Sequence, residues 1–118
     1  MDMTNAVQSL SALAHEGRLA IFRLLVKAGP DGMAAGDIAR RLATAPNTMS
    51  AQLLVLSNAG LVHAHRDGRS IIYAVDFDRM SALLQFLARD CCNGRPEICA
   101  PLAKTVNSCC PPRPRRHA

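Results

Sequence analysis

The residues of this chain best suited to chemistry are its thiols. Of 118 residues, five are cysteine, and all five lie in the last 28. Cys91 and Cys92 are adjacent in "DCCNGRPEIC", Cys99 follows, and Cys109 and Cys110 repeat the doublet in "SCCPP". Such a group can form a disulfide, hold a metal, supply a nucleophile, or do none of these. An odd cysteine count, with none in the first 90 residues, argues against a secreted disulfide framework. Structural zinc is usually held by four ligands in C-x2–4-C pairs, and adjacent thiols with no His nearby match that poorly. A thiol enzyme needs an electropositive pocket, often with C-x-x-C or a phosphate loop. Neither motif occurs, and Asp90 places an acid beside the pair. The chain is therefore not expected to be an enzyme.

The rest of the composition narrows the class. The length fits one domain with a modest core. The apolar share is 49%, mostly Ala and Leu, with one Tyr, three Phe and no Trp. Aliphatic residues of this kind favour packed helices over a β-sandwich. No apolar run approaches the roughly 18 residues that a membrane span requires. The opening "MDMTNAVQSL" lacks a basic segment followed by an apolar one, so it does not read as a signal peptide. The expected compartment is a reducing cytoplasm, where thiols stay reduced. The formal charge is +5. Residues 15–70 hold seven Arg or Lys against four acids, and residues 101–118 hold Lys104, Arg113, Arg115 and Arg116 with no acid. That balance suits a polyanionic partner.

The elements that must position these groups follow from periodicity. Residues 4–14 place Val7, Leu10 and Leu13, with Ala6 and Ala14, at helical spacing behind Thr4 as N-cap. A second helix carries Leu19, Phe22 and Val26, with Ile21, Leu24 and Leu25 widening the stripe, and stops at Gly29-Pro30. A short third helix over about 35–43 turns Ile38, Ala39 and Leu42 inward and Arg40 and Arg41 outward, and Thr44–Pro46 breaks it. A fourth helix starts at Asn47 as N-cap, buries Met49, Leu53 and Leu56, and ends at Gly60. Then the period changes to two. Val62, Ala64 and Arg66 form one arm of a hairpin, Arg69, Ile71 and Tyr73 the other, with Asp67-Gly68 at the turn. A last helix carries Met80, Leu83, Leu84 and Leu87. The Pro- and Cys-containing remainder reads as a tail.

The order α-α-α-α-β-β-α predicts a mainly α fold with a β-hairpin, a winged helix-turn-helix. Residues 1–92 are expected to form its DNA-binding domain, which the family resemblance given below also implies to be its dimerisation domain, and residues 93–118 a cysteine-containing C-terminal tail. In such a fold the fourth helix enters the major groove and the hairpin meets the backbone. The expected DNA contacts are Asn47, Thr48, Ser50, Ala51 and Gln52 on that helix, and Arg66 and Arg69 at the hairpin tip. Small polar side chains permit close approach, and Gln can pair bidentately with adenine. Any one of these polar residues taken singly is better explained as ordinary surface; the whole pattern of short helix, break, polar-fronted helix and basic hairpin is not.

Two stretches resemble a known family. "LAHEGRLAIFRLL" is similar to the L-x-x-x-x-R-L-x-I-L-x-x-L opening of the ArsR/SmtB metal-responsive repressors, and "APNTMSAQLLVLSNAGLVHAHRDGRSIIYAV" is similar to their recognition helix and wing. The resemblance covers roughly residues 5–92 and is specific over 46–75. It implies a homodimeric repressor joined through its first and last helices, which binds double-stranded operator DNA and releases it on binding a metal or metalloid ion. It implies no required cofactor and no membrane. The chain departs from the family at two known sensing sites. Where some members carry C-V-C before an Asp, this chain has "MAAGD", Met33 to Asp37. The D-x-H…H-x-x-E zinc pattern is also missing, since His15, His63, His65 and His117 are not so spaced. Sensing is left to the cysteines.

Trivalent arsenic and antimony are soft, thiophilic and three-coordinate, and thiolates prefer soft ions. Cys91, Cys92 and Cys99 supply three sulfurs, with Gly94 and Pro96 able to fold the chain back between them. Some members of the family carry a similar vicinal pair at the end of the last helix, with a third cysteine several residues on, and bind arsenite. That likeness implies Cys91, Cys92 and Cys99 as the metal ligands, with As(III) as inducer and Sb(III) as a second candidate. Cys109 and Cys110 are accessory thiols with no assigned role. The competing expectation is a repressor of the same fold that responds to thiol oxidation or to Cd(II) or Pb(II).

Overall fold

The computed structural model describes residues 1–89. The fold below is that of the compact unit Met1–Phe86. All five cysteines, and the expected 92/93 boundary, lie outside the described residues.

Helix α1 (Met3–Leu13) starts earlier than the sequence suggests, because Asp2 and not Thr4 is its N-cap. The Asp2 carboxylate accepts from Asn5 N at 2.8 Å and satisfies one first-turn donor. The face that α1 buries consists of Ala6, Ser9 and Ala12. Val7 and Leu10, expected inward, are exposed at 57% and 40%. Small residues let the helix backbone approach its neighbours closely, and this leaves the larger side chains outside. Ser9 Oγ is fully buried and has no hydrogen-bond partner among the described residues.

Helix α2 (Glu16–Ala28) is capped by His15, whose Nδ1 accepts from Gly17 N at 3.1 Å and Arg18 N at 3.4 Å. It buries Ile21, Phe22 and Leu25, whereas Leu19, expected in the stripe, is exposed. The helix ends before Gly29-Pro30, as expected, and a 3-10 turn (Gly29–Asp31) follows. Strand β1 (Met33–Ala34) was not legible in the sequence: two residues are too few to show a period. Helix α3 (Ala35–Arg41) buries Ile38 and Ala39. Helix α4 (Pro46–Asn58) buries Met49, Leu53 and Leu56, the three residues its spacing selects. Its N-cap is Ala45 and not Asn47. Pro46 takes the first helical position, where its fixed φ suits the helix and its missing N–H costs nothing.

Strands β2 (Val62–Asp67) and β3 (Ser70–Val75) pair antiparallel, with Val62 opposite Val75, Ala64 opposite Tyr73 and Asp67 opposite Ser70. Strand β1 adds to the other side of β3, with Met33 opposite Tyr73, so the wing is a three-stranded sheet in the order β1-β3-β2. The loop residues are Gly68 and Arg69, one place later than the expected Asp67-Gly68. Gly68 has φ +62° and occupies the first central position, where a two-residue turn needs positive φ. Gly32 also has positive φ, and a Cβ there would overlap the carbonyl oxygen of Tyr73 and lie 3.0 Å from the Ala74 Cβ. Only glycine lets the chain enter β1 this close to β3.

Helix α5 (Phe77–Ala88) follows the wing. Of its expected apolar stripe, Leu83 is buried and Met80 packs at the edge of the core, but Leu84 is 57% exposed. The core itself runs through α2, α3, α4 and the base of the wing, and Leu25, Ile38, Leu53, Leu56 and Leu61 are wholly inaccessible. Each such side chain contributes about 1.5–3 kcal/mol by leaving water. Among the described residues no helix is long and apolar enough to cross a membrane.

Candidate nucleic-acid interface

A helix-turn-helix needs a sharp, fixed break between its two helices. Here the break is Leu42–Ala45, and backbone hydrogen bonds specify it. Thr44 N donates to Ala39 O at 2.9 Å and Ala43 N to Arg40 O at 3.3 Å, the paired bonds of a Schellman cap. The cap requires a left-handed residue, and Ala43 fills that role at φ +50°. The same cap closes α4, where Leu61 N donates to Leu56 O at 3.1 Å and Gly60 takes the left-handed place. Thr44 Oγ1 donates to Leu42 O at 3.1 Å and further ties the turn.

The burial of Met49, Leu53 and Leu56 decides what α4 presents. Asn47, Thr48, Ser50 and Ala51 are exposed on its first two turns, as the sequence predicts. The helix starts without a side-chain cap, so among the described residues no N-cap side chain occupies its first-turn N–H groups. No Asp or Glu occurs between Asp37 and Asp67. The whole reading segment is thus free of the charge that would repel a phosphate backbone.

Gln52 differs from the others. It is half-buried, and its Oε1 accepts from Arg18 Nη1 at 3.1 Å. Arg18 also donates from Nε to Ala12 O at 2.6 Å and from Nη2 to Ser11 O at 3.5 Å. One guanidinium on α2 therefore links the C-terminal end of α1 to the reading helix. The sequence marked Arg18 only as part of the family's opening motif. Its contact with Gln52 spans 34 residues, and no local spacing carries it.

At the wing, Arg66 is exposed on β2 opposite Ile71, and Arg69 sits in the turn. The one-place shift of the turn puts Arg69 at the tip, not on an arm. Arg69 and Ser70 share a cleft of about 440 Å3 with Gly36, Asp37 and Arg40 of α3. Arg40 was expected only to point outward. It does so and pairs with Asp37, an exposed i,i+3 ion pair. Such pairs contribute about 0–1 kcal/mol and break readily in favour of a better anion. The wing tip and α3 thus bring two arginines to one cleft.

Metal-ligand clusters are a separate question. Among the described residues there is no group of three or more His, Cys, Asp or Glu able to hold an ion. His15 is engaged as the α2 cap, and His63 and His65 are exposed on β2. The proposed ligands Cys91, Cys92 and Cys99, and the accessory thiols Cys109 and Cys110, lie outside the described residues.

Comparison with known proteins agrees with the geometry. A family model described as a helix-turn-helix domain matches residues 13–65. The HTH-type transcriptional regulator YgaV of Escherichia coli (strain K12) is 28% identical over 87 residues, which are 74% of this chain and 86% of that protein. The transcriptional activator HlyU of Vibrio cholerae serotype O1 is also 28% identical over 87 residues, 74% of this chain and 78% of its own. A solved homodimeric winged helix-turn-helix DNA-binding domain, the 1–100 fragment of Mb0332 from Mycobacterium bovis, is described as a possible ArsR-family transcriptional regulator. It is 32% identical, covers 75% of this chain and 82% of its own, and superposes with a TM-score of 0.60. Taken with the Schellman-capped turn, the polar-fronted α4 and the basic wing, these matches show that the chain belongs to the ArsR-type family of winged helix-turn-helix transcriptional regulators.

Proposed function

We propose that this protein is a homodimeric transcriptional repressor that binds operator DNA and is released from it by As(III), with Sb(III) as a second inducer, bound to the thiolates of Cys91, Cys92 and Cys99. The observation that carries the inducer assignment is the cysteine placement. Three thiols lie past the end of α5 in the sequence, while the Met33–Asp37 stretch leading into α3 has none. Three sulfurs and no nearby imidazole suit a soft, three-coordinate ion better than zinc.

The DNA half of the proposal draws on the exposed N-terminal half of α4 and on Arg66 and Arg69. Asn47, Thr48, Ser50 and Ala51 approach base edges and phosphates, and the wing arginines approach phosphates. Dimerisation is supported by large apolar side chains left outside the core: Val7 and Leu10 on α1 and Leu84 on α5. These side chains are on the two helices through which the family resemblance implies pairing, and Mb0332 is itself homodimeric. A dimer sets two reading helices against successive major grooves, about one helical turn apart. The inducer acts by binding the DNA-incompetent arrangement more tightly, and couplings of about 1–3 kcal/mol are typical of such linkage.

The test is a fluorescence-anisotropy titration of the reduced protein on its operator, with arsenite, antimonite, Cd(II) and Pb(II) added in turn. Arsenite is expected to release the DNA, and Ser substitution at Cys91, Cys92 or Cys99 to abolish release without changing affinity in its absence. Unchanged affinity in the presence of arsenite refutes the inducer assignment. A second reading rests on the vicinal pair and on a relative: HlyU has been solved in a reduced form, at 26% identity and a TM-score of 0.59. Release by peroxide, and not by arsenite, would assign Cys91 and Cys92 to thiol oxidation instead. Because HlyU is named an activator, a reporter assay in the absence of inducer decides the sign of regulation.

A further inference from the structure

Arg40 stands between the two elements assigned to DNA. On one side it lines a cleft of about 470 Å3 with Thr44, Pro46 and Ser50, at the start of α4. On the other it lines the cleft that Arg69 and Ser70 of the wing tip share with α3. The Arg40 side chain is 74% exposed, so packing does not fix it. It is held instead by its own helix. Nη2 donates to Asp37 Oδ1, and Nη1 lies back over Gly36, where an added Cβ would come within 3.6 Å of it. Long side chains on a helix lean toward its N-terminus, and residues three and four places apart meet there. Asp37 is half exposed and lines the same cleft as Arg40, Arg69 and Ser70. It is also the last carboxylate in the sequence before Asp67. One acid thus sits against a surface otherwise suited to an anion.

We infer that the cleft between α3 and the wing tip takes one backbone phosphate of the bound duplex, held by Arg40 and Arg69, and that Asp37 competes with this phosphate for Arg40. The inference rests on the DNA-binding role proposed above and adds to it a residue that lowers affinity. In the free protein Arg40 donates to Asp37. On the duplex the same guanidinium turns to a phosphate, whose oxygens match its fork as a carboxylate does. Asp37 is left to water, and the exchange costs little because an exposed ion pair is weak. The phosphate belongs to the DNA backbone and not to a free ion, because Arg40 lies between the reading helix and the wing. A phosphate carries no base identity, so Asp37 weakens binding to every duplex alike. A lower starting affinity lets a given inducer coupling clear more of the operator.

The test is fluorescence anisotropy of the full-length reduced protein on its operator and on a duplex of unrelated sequence, at salt concentrations from about 50 to 200 mM. The variants are Asp37→Asn, Arg40→Gln, Arg41→Gln, and Asp37→Asn combined with each arginine change. Arg41 is a charge control, since it lies outside that cleft. Arg40→Gln is expected to reduce the salt slope by about 1, so that the loss of affinity across this range shrinks about three- to fourfold. Asp37→Asn is expected to tighten both duplexes by about two- to fivefold, the reach of one exposed ion pair. That gain is expected to fall below about half its value with Arg40→Gln and to persist with Arg41→Gln, as a double-mutant cycle reads it. Circular dichroism melting establishes that each variant is folded. An unchanged slope in folded Arg40→Gln overturns the phosphate contact. An equal Asp37→Asn gain with and without Arg40, or a gain lost equally with Arg41→Gln, overturns the competition and leaves Asp37 a distant charge. Should Arg40→Gln fail to fold, Asp37→Asn alone decides, and no gain in affinity overturns the inference while leaving DNA binding intact. A wild type that binds neither duplex overturns the DNA-binding function and the inference with it.

Discussion

Replacing Gly32 with Ala tests whether the wing is held by close backbone approach or by strand pairing alone. Two costs apply. The first is conformational: Gly32 has φ +70° and ψ −161°, a region used essentially only by glycine, where an L-residue costs about 1–3 kcal/mol. The second is steric: the new Cβ would overlap the Tyr73 carbonyl oxygen and lie 3.0 Å from the Ala74 Cβ. Neither neighbour is the free end of a flexible side chain, so β1 and β3 must separate, and overpacking of this kind costs about 1–3 kcal/mol. The expected total is about 2–6 kcal/mol, a large part of the roughly 5–15 kcal/mol that holds a domain folded. Gly68→Ala carries a positive-φ cost without the steric one, since Gly68 has φ +62° but nothing within 4 Å of its added Cβ. The measurement is urea unfolding of both variants at one fixed protein concentration, because a dimer's stability depends on concentration. Gly32→Ala is expected to be less stable than Gly68→Ala by at least about 1 kcal/mol, the lower end of the steric cost. Equal losses in the two variants would refute the claim that the Gly32–Tyr73 approach constrains the wing.

Three further outcomes follow from named side chains. Ser9→Ala is expected to stabilise the protein by about 1 kcal/mol, because it removes a fully buried hydroxyl that has no partner among the described residues; a destabilised variant would mean that Ser9 Oγ is bonded. Ala43→Gly should raise stability by about 0.5–1 kcal/mol, since Ala43 is exposed and holds φ +50° at the cap of α3, with the left-handed strain of an L-residue offset in part by the chain entropy of glycine. A lower melting temperature would refute that account. Neutralising Arg66 or Arg69 with Gln is expected to weaken binding to operator and to unrelated duplex alike and to reduce the salt slope by about 1 for each phosphate left without its arginine. A change in base preference with an unaltered slope would place that arginine on a base instead.

The parts of the fold that depend on one repeating period were legible in the sequence. Met49, Leu53 and Leu56 stand four and three residues apart, and all three are buried. The change of period after Gly60 marked the wing, and Gly29-Pro30 marked the end of α2. Errors arose where packing competes with size. Val7 and Leu10 are larger than Ala6, Ser9 and Ala12, yet the small residues face inward because α1 sits close to its neighbours. The caps were misread by two positions at Thr4 and at Asn47, since Asp2 and Pro46 are the stronger determinants at those ends. In the wing, the need for positive φ at the first loop position moved the turn from Asp67-Gly68 to Gly68-Arg69.

The sequence by itself determined the class of molecule: helices with a basic hairpin, a carboxylate-free reading segment between Asp37 and Asp67, and thiols gathered past the last helix. Those properties are local, since periodicity, charge and residue type act over a few neighbours. Only the tertiary structure decided how single side chains are used. It brought Arg18 to Gln52 across 34 residues, added β1 to β3, and set Arg40 and Arg69 in one cleft. Hydrogen bonds between distant residues depend on where the packed core places their backbones. No spacing along the chain encodes that placement.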